Sequence, residues 1–444
     1  MRLKHIPGLS IAVVRKGHVE KVQSYGWADI ESCVPSAITT RYGVGSVSKQ
    51  FAAAGVQLLA RSGAISLDDP IAKYLPEGNG VWDGITIRHL LTHTSGIKDY
   101  TNDDNKFSAM RLDRTANPLT ADLVRQIAAA PLNFRPGDDW AYSNTGYLLL
   151  GAVIERVTGR SFPDYMHERV FQPLGMTATR FYSPRELIAN RGTPYHVAAD
   201  GAVTHGDYIA DQFSRWGDMG IISTGPDMAR WVVAMDSVTL LTQQEWQQMR
   251  TPVRLNDGSA YPYGLGMELS EIGRQSVLSH GGDFRVGYSA YLLRIPGRGI
   301  TVTVLSNHWG EGFPPLSLSR EVIGLVDSMP ASFAELPIRP DPDSNRTKML
   351  FQLLRGGSEA SGAIRTTSTF RHLVGVDVRD FAKGNPDLRG LRFLECTRPS
   401  PDPVAALGTS VNTECSYRLD GAREPTVMTF WLTPRSELAG FSWW

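Results

Sequence analysis

Short apolar stretches open the chain. Residues 9–14 are apolar apart from Ser10, Arg15-Lys16-Gly17-His18 supplies a turn, and the pattern resumes over 19–25, which predicts strand, turn, strand. Over 49–62 the period changes. Phe51, Ala54, Gly55, Leu58 and Leu59 fall on one helical face, and Gly63 stands where such a helix stops. The same periodicity predicts helices over 120–130, 145–158 and 226–235, and strands over 286–294 and 299–306. A sheet drawn from both ends of this segment, with helices inserted between, gives an α/β or α+β layered domain.

The pattern shifts near residue 330. Pro337, Pro340 and Pro342 fall within six positions, which excludes a helix interior and marks a Pro-rich linker over 331–344. Beyond it, Met349, Leu350, Leu353 and Leu354 share one side of a predicted helix over 346–355 that Gly356-Gly357 ends. Strand-like runs follow at 369–378, 391–396, 415–419, 427–433 and 438–444. Residues 1–330 therefore form one domain, and 345–444 a small α+β domain of unknown role. Cys396 and Cys415 pair if their strands are neighbours and are otherwise two buried thiols; Cys33 has no obvious partner.

Composition narrows the function classes. Of 444 residues 42% are hydrophobic and 20% charged, which excludes bulk disorder. Lys+Arg and Asp+Glu both number 45, so the basic excess of a nucleic-acid binder is missing. No stretch approaches the roughly 18–20 apolar residues of a membrane span. With no CxxC, thiolate zinc sites and thioredoxin-type chemistry are not expected. The first residues lead straight into a strand pattern without the features of a secretory leader, which favours the cytoplasm; a trimmed N-terminus would leave periplasm or secretion open.

Three short motifs carry chemistry. Ser46-Val47-Ser48-Lys49 at a helix start puts the lysine one turn from a serine that needs a base to become nucleophilic. An isolated serine there is more often a helix cap, and a second S-x-x-K, Ser95 to Lys98, shows how cheap the match is; no amphipathic helix follows Ser95. Tyr142-Ser143-Asn144 offers a phenol to shuttle a proton and an amide that donates and accepts, although Tyr100-Thr101-Asn102 matches too. His280-Gly281-Gly282, followed by Asp283 and Arg285, places an imidazole beside glycines that admit a close backbone approach. His89 and His93 have metal-ligand spacing on a helix, but no H-E-x-x-H glutamate or third ligand accompanies them, so no metal is expected.

In this order and spacing, the motifs resemble those of the penicillin-recognising serine hydrolases: class C β-lactamases, D-alanyl-D-alanine carboxypeptidases, D-aminopeptidases and related esterases. Ile87–Ile97, Gly217–Thr224, Tyr263-Gly264-Leu265-Gly266 and Val304–Asn307 are similar to family stretches as well, and the likeness runs from about residue 6 to 328. It implies a β-lactamase-like fold, an antiparallel sheet flanked by helices with a helical region. It also implies the roles. Ser46 attacks a carbonyl, and Lys49 and Tyr142 share the proton transfers, one of them as base. The N–H groups of Ser46 and Asp283 hold the oxyanion, Asn144 positions substrate, and His280 assists Tyr142 or the leaving group. Gly281, Gly282, Asp283 and Arg285 line the substrate side. No cofactor is implied, and the partner is a small molecule or short peptide; oligomeric state is open. A buried ammonium beside a phenol is expected to lower the phenol's pKa by its charge and its own by desolvation. The family usually has a helix before the first strand, whereas here the strand begins almost at Met1, as in a truncated or reduced fold. The helix-then-sheet order after 345 is similar to cone-shaped domains of the nuclear-transport-factor kind.

The function implied is an acyl-enzyme hydrolase of amides, peptides or esters, D-aminopeptidase-like or esterase-like. The alternatives are a D,D-carboxypeptidase or β-lactamase-like penicillin-binding protein, and a catalytically silent sensor on the same fold. The middle residue of the triplet is usually Thr or Ser in the carboxypeptidases and β-lactamases, where its hydroxyl helps bind a free carboxylate; Gly281 has none. That favours substrates without a terminal carboxylate, with Asp283 as a partner for a substrate ammonium, unless Arg285 points into the cleft.

Overall fold

The computed structural model describes residues 5–78, 80–101, 120–198, 200–258, 260–272, 275–310, 314–327, 338–356, 387–397, 413–421, 427–432 and 438–443. They fall into two compact units, one of residues 1–255, 263–269 and 276–319, the other of 256–262, 270–275 and 320–444.

In the first unit the chain enters through β1 (Gly8–Arg15) and turns into β2 (His18–Asp29), which pairs with the two-residue β3 (Val34–Pro35). A seven-stranded antiparallel sheet follows the order Glu268–Ile272, Gln275–Phe284, Tyr288–Ile295, Ile300–Ser306, β1, β2, β3. The two ends of the unit meet at its centre, Leu9 opposite Ser306 and Val13 opposite Val302. Tyr288–Ile295 and Ile300–Ser306 are buried at every position. Their apolar runs are continuous because both faces of the sheet are covered. Helix Gly225–Met235 packs on β1, β2 and Ile300–Ser306, and the turn Gly45–Val47 packs on Tyr288–Ile295. The strand expected from 286 starts at Tyr288 because Gly287, with φ +128°, turns the chain there.

Helix α1 (Ser48–Arg61) differs from its expected amphipathic form: every residue from Ser48 to Leu59 is buried, Lys49, Gln50 and Gln57 included. It runs through the core against the later helices α4 (Asn144–Thr158) and Phe162–Met166. Phe51 lies 4.3 Å from Trp231, ring to ring, and Gln50 accepts the Trp231 indole N–H at 3.0 Å. Gly63, at φ +74°, ends the helix as expected, with the Gly63 and Ala64 N–H groups turning back to Ala60 and Leu59. Between α1 and α4 lie the short α2 (Ile87–Leu91) and α3 (Thr120–Ala128). Among the described residues, no helix is long and apolar enough to cross a membrane.

The second unit holds helix Ser344–Gly356 and a four-stranded meander of Gly390–Thr397, Thr413–Asp420, Val427–Leu432 and Leu438–Trp443. Leu350, Leu353 and Leu354 of the helix share a core with Phe393, Tyr417, Met428 and Phe430. Cys396 and Cys415 face each other across the first strand pair and form a disulfide. The strand expected over 369–378 lies outside the described residues.

A tight approach in the larger unit joins the sheet to the turn before α1. A Cβ on Gly282 would lie 1.9 Å from the Val44 carbonyl oxygen, and one on Gly45 would lie 2.7 Å from the Asp283 nitrogen. Gly282→Ala must therefore push strand and turn apart, and is expected to cost about 2 kcal/mol, or about 3 °C in the melting temperature of this unit. A calorimetric midpoint unchanged from wild type would refute the close approach.

Candidate functional site

Ser46 sits in the single 3-10 turn Gly45–Val47 that runs into α1. Gly45 adopts φ +52°, which glycine takes at little cost. The cap position of α1 is Val47, with no side-chain cap bond, so Ser46 is not spent as a helix cap. Its hydroxyl instead meets Lys49, whose Nζ lies 3.1 Å from Ser46 Oγ, 2.7 Å from Asn144 Oδ1 and 2.9 Å from the Asp218 carbonyl oxygen. Lys49 is fully buried. Three ammonium protons thus have three acceptors. Two of these, an amide and a carbonyl oxygen, have no proton to give. A neutral amine held by both presents its lone pair to Ser46. Burial lowers the Lys49 pKa to about 8, although Asp218, Asp99 and Glu268 oppose the shift.

The Tyr142 phenol departs from expectation. Its pKa is pushed well above the ordinary tyrosine value, first by burial and then by Glu268, Asp99 and Tyr147, with a hydrogen bond to Ser46 pulling the other way. The Lys49 ammonium lies 4.7 Å over the centre of the Tyr142 ring. Burial outweighs charge proximity, so Tyr142 stays a neutral phenol at ordinary pH.

Asn144 begins α4, capped by the Ser143 hydroxyl. Its Nδ2 donates to Asp99 Oδ2 at 3.0 Å and Thr101 Oγ1 at 2.8 Å. Both amide protons are used, leaving Oδ1, shared with Lys49, as the atom through which Asn144 can meet a ligand. His280, on strand Gln275–Phe284, is almost fully buried. Its Nδ1 is 2.7 Å from the Gly281 carbonyl oxygen and its Nε2 is 3.0 Å from the Tyr263 hydroxyl. A carbonyl only accepts, so Nδ1 carries the proton and Nε2 accepts from Tyr263. Burial, then the Lys49 charge, lower its pKa to about 3. Both His280 nitrogens have these other partners in this structure, and its ring centre is 6.2 Å from that of Tyr142.

The glycine pair also reads differently. Gly282 admits the protein's own Val44 carbonyl, where a ligand backbone was expected; Gly281 is half-buried and accepts from His280. Asp283 is exposed as a residue, yet its carboxyl is shielded enough to be pushed up, while the Trp309 indole N–H, Arg285 and His196 pull it back. Its backbone nitrogen lies beside the turn that carries Ser46. Arg285 is exposed and follows the end of the strand, in the turn before Tyr288, with its carbonyl oxygen bonded to His196.

Helix α2 ends at Leu91 and His93 takes φ +61°, so His89 and His93 do not share a helical face. His89 Nδ1 accepts from the Thr86 N–H in a capping box, and His93 Nδ1 from the Ser143 N–H. The Ser95 hydroxyl accepts the Ile97 N–H, a local turn. Asn102 of the second Y-x-N lies outside the described residues, but its Tyr100 hydroxyl donates to Asp218 at 2.6 Å. Sequence reasoning missed Asp99, Asp218 and Glu268 as the carboxylates around Lys49. Asp99 adjoins the discarded Ser95–Lys98 match, whereas nothing local marks Asp218 or Glu268.

Comparison with known proteins bears on the family and the fold. Residues 1–323 match the family model described as Beta-lactamase. Over 320 residues the chain is 30% identical to Penicillin-binding protein 4* of Bacillus subtilis (strain 168), covering 68% of this chain and 69% of that one. It is 28% identical over 323 residues to Protein flp of Staphylococcus aureus (strain COL), 70% of this chain but 62% of the relative's length. Among solved structures, the octameric penicillin-binding protein homologue from Pyrococcus abyssi aligns with TM-score 0.64 at 21% identity, over 100% of this chain and 93% of that one, a likeness of fold alone. A D-stereospecific amidohydrolase from Streptomyces sp. aligns with TM-score 0.59 at 26% identity, over 73% of this chain and 95% of that one. With the signature motifs in place and the family model matching most of its length, the chain belongs to the β-lactamase family of penicillin-recognising serine hydrolases.

Proposed function

We propose that the protein hydrolyses amides or small esters through an acyl-enzyme on Ser46, preferring substrates without a terminal carboxylate. The observation that carries this reading is the buried Lys49 amine 3.1 Å from Ser46 Oγ, its other two contacts being obligate acceptors. In the first step Lys49 Nζ takes the Ser46 proton as Oγ bonds to the substrate carbonyl carbon. The N–H groups of Ser46 and Asp283 face the developing oxyanion. Tyr142, a neutral phenol, gives its proton to the leaving nitrogen or oxygen and recovers one from Lys49. Water then gives a proton to Lys49 as its oxygen bonds to the acyl carbon, and Lys49 returns that proton to Ser46 Oγ as the acyl–Oγ bond breaks.

Gly281 supports the substrate preference, since it offers no hydroxyl to a carboxylate. Arg285 is exposed and lies beyond the strand end, and Asp283 supplies negative charge for a substrate ammonium. The D-stereospecific amidohydrolase among the structural neighbours fits this choice. The Cys396–Cys415 disulfide favours an oxidising compartment over the cytoplasm expected from the sequence.

Intact-mass spectrometry with a fluorophosphonate tests the nucleophile: one label is expected on wild type and on Ser95→Ala, and none on Ser46→Ala. Persistence of the label in Ser46→Ala would overturn the assignment. Because only the neutral amine accepts the proton, the acylation rate is expected to rise with pH through about 8. Lys49→Met is expected to slow acylation by about 10²- to 10⁴-fold; near-wild-type rates would remove Lys49 from the mechanism. D-alanine p-nitroanilide and short p-nitrophenyl esters are expected to turn over faster than a D-alanyl-D-alanine peptide. The reverse order would refute the substrate preference while leaving the nucleophile in place.

A further inference from the structure

Asp218 enters the site twice. Its carbonyl oxygen accepts from Lys49 Nζ at 2.9 Å, which ties the residue to the lysine through the main chain. Its side chain is fully buried, with Oδ2 accepting from the Tyr100 hydroxyl at 2.6 Å and Oδ1 lacking any hydrogen-bond partner. A buried carboxylate oxygen left without a donor costs about 1–3 kcal/mol, so this arrangement is held against its own stability. Asp99 is used differently: its Oδ2 takes the Asn144 N–H and Nδ2, and its Oδ1 takes the Thr101 N–H and hydroxyl. Glu268 is half-buried and accepts from Ser279. Of the three carboxylates around Lys49, Asp218 is the fully buried one with an oxygen to which nothing donates.

We propose that Asp218 is a positioning residue whose buried carboxylate sets the charge state of Lys49. It touches no reacting atom and acts through the lysine, so the inference rests on Lys49 being the base. The charged and titratable groups facing Lys49 are Asp218, Asp99, Glu268, His93 and His280, with the rings of Tyr142 and Tyr147; Asp218 faces Lys49, Asp99 and Tyr100. The direction follows from charge. A carboxylate beside the lysine stabilises the ammonium and keeps the amine protonated to higher pH. Burial pushes the Asp218 carboxyl up to about 6, while Lys49 and Tyr100 pull it down, so above that pH it opposes the release of the Lys49 proton.

Asp218→Asn keeps the backbone carbonyl for Lys49 and an oxygen for the Tyr100 hydroxyl, and removes only the charge. The measurement is the rate of fluorophosphonate labelling of the full-length protein from pH 5 to 10. The acid limb of the profile is expected to move to lower pH by about one unit in Asp218→Asn. Tyr100→Phe removes the donor that holds Asp218 ionised, and is expected to shift it the same way by less. A merely structural Asp218 would lower the melting temperature or the labelled fraction without moving the midpoint, and a profile that superimposes on wild type overturns the inference. If Asp218→Asn does not fold, an unshifted Tyr100→Phe profile overturns it instead. Wild type that takes no label at Ser46 would overturn the site assignment as well, which separates that failure from a failure confined to Asp218.

Discussion

The site depends on an amine kept out of water. Lys49 is wholly buried, and desolvation outweighs the pull of three nearby carboxylates. The protein offsets the cost of burying the amine with an acceptor for each ammonium proton, and two of those acceptors come from distant parts of the chain, Asn144 and the Asp218 carbonyl. Those contacts tie α1, the start of α4 and the segment before Ile221–Ser223 to one nitrogen atom. A lysine at the surface, free to rotate and solvated, would hold its proton to a pH of about 10 and would not be aimed at Ser46.

The second constraint is steric. The turn that carries Ser46 is pressed against the sheet by glycine on both sides, Gly45 on the turn and Gly282 on the strand. This brings the Asp283 nitrogen next to the turn that carries Ser46. The same strand carries His280, whose neutral imidazole bonds the Tyr263 hydroxyl and the Gly281 carbonyl. The rings of Tyr142, Tyr147 and Tyr263 pack at centroid distances of 4.4–5.3 Å from His93, and the first two lie against Lys49. They keep water from the site and raise the Tyr142 phenol; in the proposed mechanism this difference in environment divides the acid and base roles between Tyr142 and Lys49.

Much of the larger unit was legible because its signals are local. The apolar run of β1, the periodicity of α1 and the stop at Gly63 each depend on neighbouring residues, and each appears where the pattern places it. The S-x-x-K pair was legible for the same reason, since one helical turn fixes the distance between its ends. The rest is set by long-range packing. The full burial of α1 follows from what surrounds it. The direction of the Tyr142 shift depends on how little water reaches the ring, which a neighbouring positive charge suggested wrongly. Asp218 and Asp99 meet Lys49 across separations of 169 and 50 residues, and no spacing rule announces them. His89 and His93 have metal-ligand spacing in sequence but share no helical face, because α2 ends at Leu91.

The account stands on the charge state of one buried amine, and nitrogen-15 NMR of lysine side chains measures it most directly, with the Lys49 signal assigned by its loss in Lys49→Arg. A titration midpoint well below the ordinary lysine value of about 10.4, close to about 8, is the predicted result. A midpoint at or above the ordinary value would mean that the carboxylates outweigh burial, and Lys49 would then be an ammonium at working pH and unable to take the Ser46 proton.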